Sequence, residues 1–267
     1  MISSIKKFFY LNLTEQQYLR LSHRAFYYLY RLRLLRFLRS YKFHYLIRKL
    51  IKPDDVVLDI GANLGYFMRN FCQLTPKGKV IGVEPLPQYC AILNYFLRND
   101  HNAEVHNFAL GKQRTKATMV RPKENGVIRT GLPFIIEEGK SFEADIQQEV
   151  EMASAKDFFY RFERIDYIKC DVEGYEWEIF SNIGDWLTTN RPLIQIELTQ
   201  KTKKVIFEYF ENLGYHAFGA DQKLNIFPLA FNETYEGDFL FFPEEKINSF
   251  LPSMGEQLED YSLVNAA

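Results

Sequence analysis

The feature that most constrains this chain is the passage Val56-Val-Leu-Asp59-Ile-Gly61-Ala-Asn63-Leu-Gly65. Its first five residues form a short, largely apolar run, as expected of a strand buried on both faces. Two glycines four positions apart follow at once, where a strand would hand over to a helix. A strand covered on both sides needs helices above and below it, which points to an α/β layer architecture rather than a bundle or a sandwich. The glycines let the chain turn tightly and let a ligand approach the backbone. The first N–H groups of the following helix favour a carboxylate or a phosphate.

The same alternation continues downstream. Lys79–Glu84 is expected as a second strand and 85–99 as a helix with Leu86, Cys90, Leu93 and Leu97 on one face. Glu104–Leu110 reads as a third strand. Residues 111–153 break the rhythm, with short strands at Thr115–Val120 and Gln148–Met152 around a loop containing Gly and Pro. Asp157 opens a helix, Ile165–Cys170 is the fourth parallel strand and Trp177–Leu187 one helix. Leu193–Leu198 is the fifth strand. An amphipathic helix through Val205, Ile206, Tyr209 and Phe210 is stopped by Gly214. Segments 214–218 and 238–242 suggest a closing antiparallel pair. The expected fold is therefore α/β and Rossmann-like: a mostly parallel sheet with helices on both faces and an antiparallel strand near the C-terminus. It divides into a basic helical N-terminal extension (1–52), the α/β domain (53–243) and a polar tail (244–267).

Charge is unevenly distributed. Residues 1–52 hold 12 Lys/Arg and one acid, Glu15, whereas the rest of the chain holds 21 Lys/Arg against 33 Asp/Glu. A basic arm ahead of an acidic body suits phosphate, an anionic membrane surface or an acidic partner; the alternative is a solvated helical cap whose arginines pair with the body. Residues 14–50 contain no Gly or Pro and read as helix, with Arg20, Arg24 and Arg31 on one side. Cys72, Cys90 and Cys170 lie far apart, giving neither a disulfide framework nor a zinc motif and fitting a reducing cytoplasm. No apolar run approaches the length of a membrane span, and the N-terminus does not read as a signal peptide.

Ligands of such sheets bind at the carboxyl ends of the strands. The candidate cofactor residues there are Asp59, Gly61, Asn63 and Gly65 after the first strand, Glu84 and Leu86 after the second, and Asn107 and Ala109 after the third. Asp59 would repel pyrophosphate but could bind an ammonium group, so a zwitterionic amino-acid ligand fits. Glu84 could accept both vicinal hydroxyls of a ribose. Leu86 could cover one face of an adenine and the Asn107–Ala109 turn its edge. S-adenosylmethionine combines these features. A nicotinamide dehydrogenase would instead show G-x-G-x-x-G, and the spacing here is G-x-x-x-G.

With VVLDIGANLGYF (56–67), VIGVEPLP (80–87), HNFALG (106–111), IDYIKCDVEGYEWEIF (165–180), LIQIEL (193–198), LGYHAF (213–218) and DFLFFP (238–243), the sequence resembles the FkbM family of methyltransferases. The resemblance implies a Rossmann-like methyltransferase fold and O-methylation with S-adenosylmethionine, often of sugars in glycans or of secondary-metabolite hydroxyls. It carries Asp59, Gly61, Gly65 and Glu84 over as cofactor positions. Many methyltransferases place an acid against the adenine amine; this chain has Phe108 there, which passes that contact to Asn107 or to backbone.

An alcohol needs a base or a metal to become a nucleophile near neutral pH. Asp171, Glu173 and Glu197, at the ends of the fourth and fifth strands, are the candidate catalytic groups, with Asp171 or Glu173 taking the proton. The same carboxylates suit magnesium or calcium, with Asp171 and Glu197 as the ligands. Against this, Glu173 and Glu176 could simply cap the next helix. His44 and His106 read as packed residues rather than bases. The expected acceptor is a small molecule or a glycan. Nucleic acid fits poorly, because Asp171-Val-Glu-Gly replaces the Asn/Asp-Pro-Pro-aromatic turn of base methylation, although a ribose hydroxyl held by the basic arm is conceivable. A binding protein that has lost its chemistry is the non-enzymatic alternative.

Overall fold

A computed structural model describes residues 2–124, 126–136, 146–231, 235 and 237–250, with side chains described from Lys6 onward. The polar tail beyond Phe250 lies outside the described residues. The described α-helices are, in chain order, α1 (Ile2–Asn12), α2 (Glu15–Arg31), α3 (Lys42–Leu50), α4 (Met68–Leu74), α5 (Pro87–Leu97), α6 (Ala155–Phe159), α7 (Glu176–Phe180), α8 (Gly184–Asn190), α9 (Gln200–Asn212) and α10 (Ile247–Phe250).

Eight strands form the main sheet: β1 (Val56–Ile60), β2 (Lys79–Val83), β3 (Ala103–His106), β4 (Tyr167–Cys170), β5 (Leu193–Glu197), β6 (Tyr215–Ala220), β7 (Ile226–Pro228) and β8 (Asp238–Pro243). Their order is β7-β6-β8-β5-β4-β1-β2-β3, with β1 to β5 parallel and β8 antiparallel between β5 and β6. The closing antiparallel pair is therefore present. The order reverses between β1 and β4, which places a crevice over the tips of those two strands.

Both faces of the sheet are covered, as the apolar strands require. Leu58, Ile60, Ile168, Cys170, Ile194, Ile196, Phe239 and Phe241 point to one side, against Ile179, Phe180, Ile206, Phe207 and Phe210 of α7 (Glu176–Phe180) and α9 (Gln200–Asn212). Val57, Tyr167, Leu193, Leu240 and Phe242 point to the other, against α3 (Lys42–Leu50) and α4 (Met68–Leu74). Each fully buried Phe on these faces contributes about 1.5–3 kcal/mol, so the two layers fix the strand tips firmly.

Three expectations need correction. The helix expected over 14–50 is interrupted: α2 (Glu15–Arg31), started by a Thr14–Gln17 capping box, ends in two 3₁₀ turns before α3. Arg33 takes the left-handed conformation there (φ 58°), which redirects the chain so that Phe43, Leu46, Ile47 and Leu50 meet the sheet. The third strand stops at His106, and residues Ala109–Gly111 join a second, smaller sheet alongside Ile146–Ser154. The turn between them is held by the Asn107 amide, which donates to the carbonyls of Glu84 and Pro85. Finally, the helix expected over 177–187 is split into α7 and α8 (Gly184–Asn190). The Tyr209 hydroxyl donates to the Phe180 carbonyl at that break, and a Cβ on Gly184 would meet the same hydroxyl.

The inserted strands Thr115–Arg121 and Ile146–Ser154 pair antiparallel, as a hairpin-like insertion should. Glu15 of α2 pairs with the buried Arg121 of this sheet. No helix among the described residues is long and apolar enough to cross a membrane. The three cysteines are buried and unpaired.

Candidate active site

A cavity of about 570 Å³, its open mouth included, lies over the tips of β1, β2 and β4. Its floor is Ile60, Gly61, Val83 and Glu84, its apolar walls include Pro85, Phe108, Leu110, Met119 and Ile135, and its far end is Asp171 to Glu173 with Tyr175.

The floor is shaped by glycine and by one carboxylate. A Cβ on Gly61 would sit 1.9 Å from the Asp171 carbonyl oxygen, at φ 77°. This glycine is therefore needed for the approach of two strand-tip loops to each other, as well as for any ligand above them. Asn63 also has positive φ (52°), and its side chain donates to the Thr130 carbonyl, which ties the loop to the wall segment around Gly131 and Pro133. That twist aims the Asn63 N–H at Glu84 Oε2 (2.8 Å), while the Leu86 N–H donates to Glu84 Oε1 (2.9 Å). Each carboxylate oxygen thus has one backbone donor and keeps acceptor capacity toward the cavity. Burial pushes the Glu84 carboxyl up to about 7, against the two backbone hydrogen bonds.

Behind the floor, the register aligns Asp59, Lys169 and Gln195 across three adjacent strands, all buried. The Lys169 ammonium lies 3.1 Å from Asp171 Oδ2 and 3.7 Å from Asp59 Oδ1. Burial alone would push this lysine down, but the two carboxylates overcome it and hold it charged. Asp59 is raised to about 6 by burial, with Lys169 opposing. Its two oxygens are fully enclosed and have no hydrogen bond. The row continues as Tyr167 donates to Gln195 Oε1 (2.6 Å) and Gln195 donates to Asp238.

A second cleft adjoins the first and shares Glu173 with it; Glu197, Thr199, Gln200 and Lys203 also line it. Glu173 is held at φ 54°, a left-handed backbone that few non-glycine residues adopt and that costs about 1 kcal/mol or more. Partial burial raises its carboxyl to about 7, reinforced by Asp171 and Glu176. Glu197 is raised too, by loss of hydration and then by Asp171, Asp238 and Glu173. Glu176 is different: its Oε1 accepts from the Gly174 N–H (2.8 Å) and its Oε2 from the Thr202 hydroxyl (3.2 Å), which ties the bend before α7 to α9 without capping α7 itself. Among the described residues, no such bond ties down the Glu173 carboxylate.

The model of the methyltransferase FkbM domain family matches residues 59–217, more than half of the chain. The chain belongs to that family. A curated relative, the 2-O-methyltransferase NoeI of Sinorhizobium fredii (strain NBRC 101917 / NGR234), is 47% identical over 53 residues, 20% of this chain and 22% of the relative. Among solved structures, a methyltransferase FkbM from Methylobacillus flagellatus KT has 14% identity and a TM-score of 0.49, covering 72% of this chain and 44% of its own. Aeropyrum pernix fibrillarin, in complex with natively bound S-adenosyl-L-methionine, has 12% identity and a TM-score of 0.43, covering 76% of this chain and 74% of its own. The chain thus matches under a quarter of the NoeI sequence and under half of the Methylobacillus protein.

Within this FkbM domain the expected site residues separate into two groups. Gly61, Asn63, Glu84, Ala109, Asp171 and Glu173 line the first cavity, and Glu173 and Glu197 the second. Gly65 stands one turn back, at φ 84°, against Leu93. Leu86 is fully buried with Tyr89 and Ile92, so the apolar wall is supplied by Pro85 and Phe108. Asn107 spends its amide on the Glu84 and Pro85 carbonyls and shapes the wall from outside. Asp59 lies behind the floor. His44 stacks on Phe67, pushed down to about 3 by burial and by Lys169, and His106 contacts Glu104; both are packed side chains.

For a divalent cation the donor set is poor. Asp171 already faces the Lys169 ammonium, and no group of three or more His, Cys, Asp or Glu able to hold a metal occurs among the described residues. Lys169, Gln195 and Asp238 were not singled out from sequence. For Lys169 and Gln195 the signal was a polar residue inside an otherwise apolar buried strand, as in Tyr167-Ile-Lys169-Cys170; Asp238 opens its strand and carries no such signal.

Proposed function

We propose that this chain is an S-adenosylmethionine-dependent O-methyltransferase acting on a hydroxyl, with a sugar hydroxyl in a glycan or glycolipid as the substrate class. The observation that carries this is Glu173, which belongs to two clefts at once: one with a ribose-competent carboxylate at its base, the other lined by further carboxylates. The FkbM membership supports methyl transfer, and the 2-O-methyltransferase relative supports oxygen as the acceptor atom. The sugar preference rests on the resemblance of the motifs to the wider family.

The residues fit the cofactor in two respects. Glu84 offers two oriented acceptors for vicinal hydroxyls, and Pro85 and Phe108 offer apolar surface for a base. The burial of Asp59 favours a role in seating Lys169 over direct contact with an amino group. When bound, S-adenosylmethionine supplies an electrophilic methyl group on a sulfonium centre.

The protein's part is to aim and deprotonate the acceptor. Glu173, with its carboxyl near neutrality, accepts the hydroxyl proton. Asp171, fixed by Lys169, orients the acceptor from the far end of the first cavity. Glu197, in the adjoining cleft, binds a neighbouring hydroxyl. No step requires a metal.

Incubation with methyl-labelled S-adenosylmethionine and a panel of glycans tests the reading. Label transferred to an alkali-stable methyl ether is expected, and Asp171→Asn should retain cofactor binding while losing turnover by about 100-fold or more. Label appearing only on amines, or only on RNA, would overturn it.

A further inference from the structure

The N-terminal extension presents an apolar surface that the methyl-transfer reading does not use. Among the described residues, ten of the thirteen exposed large hydrophobic side chains fall between Phe8 and Leu38. Six of them lie within eleven residues, at the end of α2 and in the 3₁₀ turn after it: Tyr28 (66% exposed), Leu29 (39%), Leu32 (67%), Leu34 (52%), Phe37 (84%) and Leu38 (51%). Scattered exposed leucines are ordinary, but six in eleven residues make a patch. Tyr30 and Leu35 of this segment point inward, packed with Phe26 and Tyr45, and anchor it.

The charge around the patch has one sign. Arg31, Arg33, Arg36 and Arg39 interleave with the apolar residues and are exposed. No Asp or Glu occurs between Glu15 and Asp54. Among the described residues, none of these four arginines has a salt bridge, so the alternative of a cap neutralised by the acidic body does not hold for this turn. Burial raises the pKa of the Tyr45 hydroxyl, and Arg33, Arg36 and Arg48 oppose this. Arg20 and Arg24, by contrast, lie over the rings of Tyr95 and Phe96 and serve internal packing.

We propose that the turn 28–39 docks this protein onto an anionic lipid bilayer. The occupant follows from the pairing of the two features. Leucine and phenylalanine side chains enter the headgroup–acyl boundary while flanking arginines stay with the anionic headgroups. Each such arginine strengthens binding about fivefold. Such docking holds the domain at a surface without a spanning helix, in line with the helices described.

Co-sedimentation of the full chain with phosphatidylcholine vesicles, with and without phosphatidylserine, tests this without any cofactor. Binding to the anionic vesicles only is expected, weakening as salt rises. Phe37→Asp should weaken it about tenfold or more, and the double change Arg36→Glu, Arg39→Glu about 25-fold or more. Both sites are exposed, and unchanged circular dichroism and Tm would show that folding is intact. Equal binding by wild type and both variants, or no binding to anionic vesicles, would overturn the proposal. So would a wild-type dimer that Phe37→Asp converts to monomer without any vesicle binding, since the patch would then be a self-association face.

Discussion

Replacing Glu84 by Gln removes the group to which the proposed nucleoside recognition is assigned, and the size of the effect follows from its surroundings. Both carboxylate oxygens accept a backbone N–H, from Asn63 and from Leu86. A glutamine keeps one acceptor and turns its amide N–H₂ toward a backbone donor, so one ribose hydrogen bond is lost and the other loses its charge assistance. Charge-assisted bonds contribute about 1.5–3 kcal/mol and neutral ones about 1, giving a total loss of about 2–5 kcal/mol, or a Kd at least about 30-fold weaker. The wild type should carry a second signature. With its carboxyl at about 7, Glu84 is protonated at lower pH and can no longer accept from both hydroxyls. If ligand binds the ionised form, affinity should fall about tenfold between about pH 8 and pH 6. Calorimetry with S-adenosylhomocysteine, which has the ribose without the sulfonium charge, reads both effects. Glu84→Gln should abolish the pH slope and Glu173→Gln should keep it. A wild-type Kd independent of pH, together with a Glu84→Gln affinity within threefold of wild type, would refute the assignment.

Other consequences follow from the same geometry. Because the Glu173 carboxyl sits at about 7 and must be ionised to accept a proton, kcat/KM for the acceptor, measured at saturating S-adenosylmethionine, should rise with pH through neutrality; Glu173→Gln should lose that rise and about 100-fold or more of the rate. Gly61→Ala would drive a Cβ into the Asp171 carbonyl at an unfavourable φ; thermal melts should show a loss of about 2–4 kcal/mol, roughly 5–15 °C in Tm. Lys169→Met would leave Asp59 and Asp171 facing each other without a cation, so denaturant titration should show a loss of about 3–5 kcal/mol. Since Lys169 already neutralises Asp171, turnover should persist in EDTA; activity abolished by EDTA and restored by magnesium would contradict this.

The parallel core and the glycine bend were legible because their signals are local. Val56–Ile60 can be covered only from both faces, and the glycines at 61 and 65 mark the turn. Glu84 could be placed because it ends the strand beside that turn. What the sequence hid was direction. Leu86 lies on the inward side of α5 (Pro87–Leu97) rather than over the cavity, and nothing in its neighbours distinguishes the two. The break at Arg33 carries no Gly or Pro, so the helical pattern runs through it until tertiary packing bends the chain. Lys169 was visible as a charge in a buried strand, yet its two partners sit 110 residues upstream and two downstream. Only the register of β1 against β4 brings Asp59 and Asp171 to one ammonium.

A crystal structure with S-adenosylhomocysteine is the most direct test of the claim that this crevice is where methyl transfer occurs. The account predicts both ribose hydroxyls within hydrogen-bonding distance of the Glu84 carboxylate, the adenine between the Pro85 and Phe108 side, and the sulfur directed toward Asp171 and Glu173. Nucleoside bound elsewhere, or a sulfur facing away from those two acids, would contradict it.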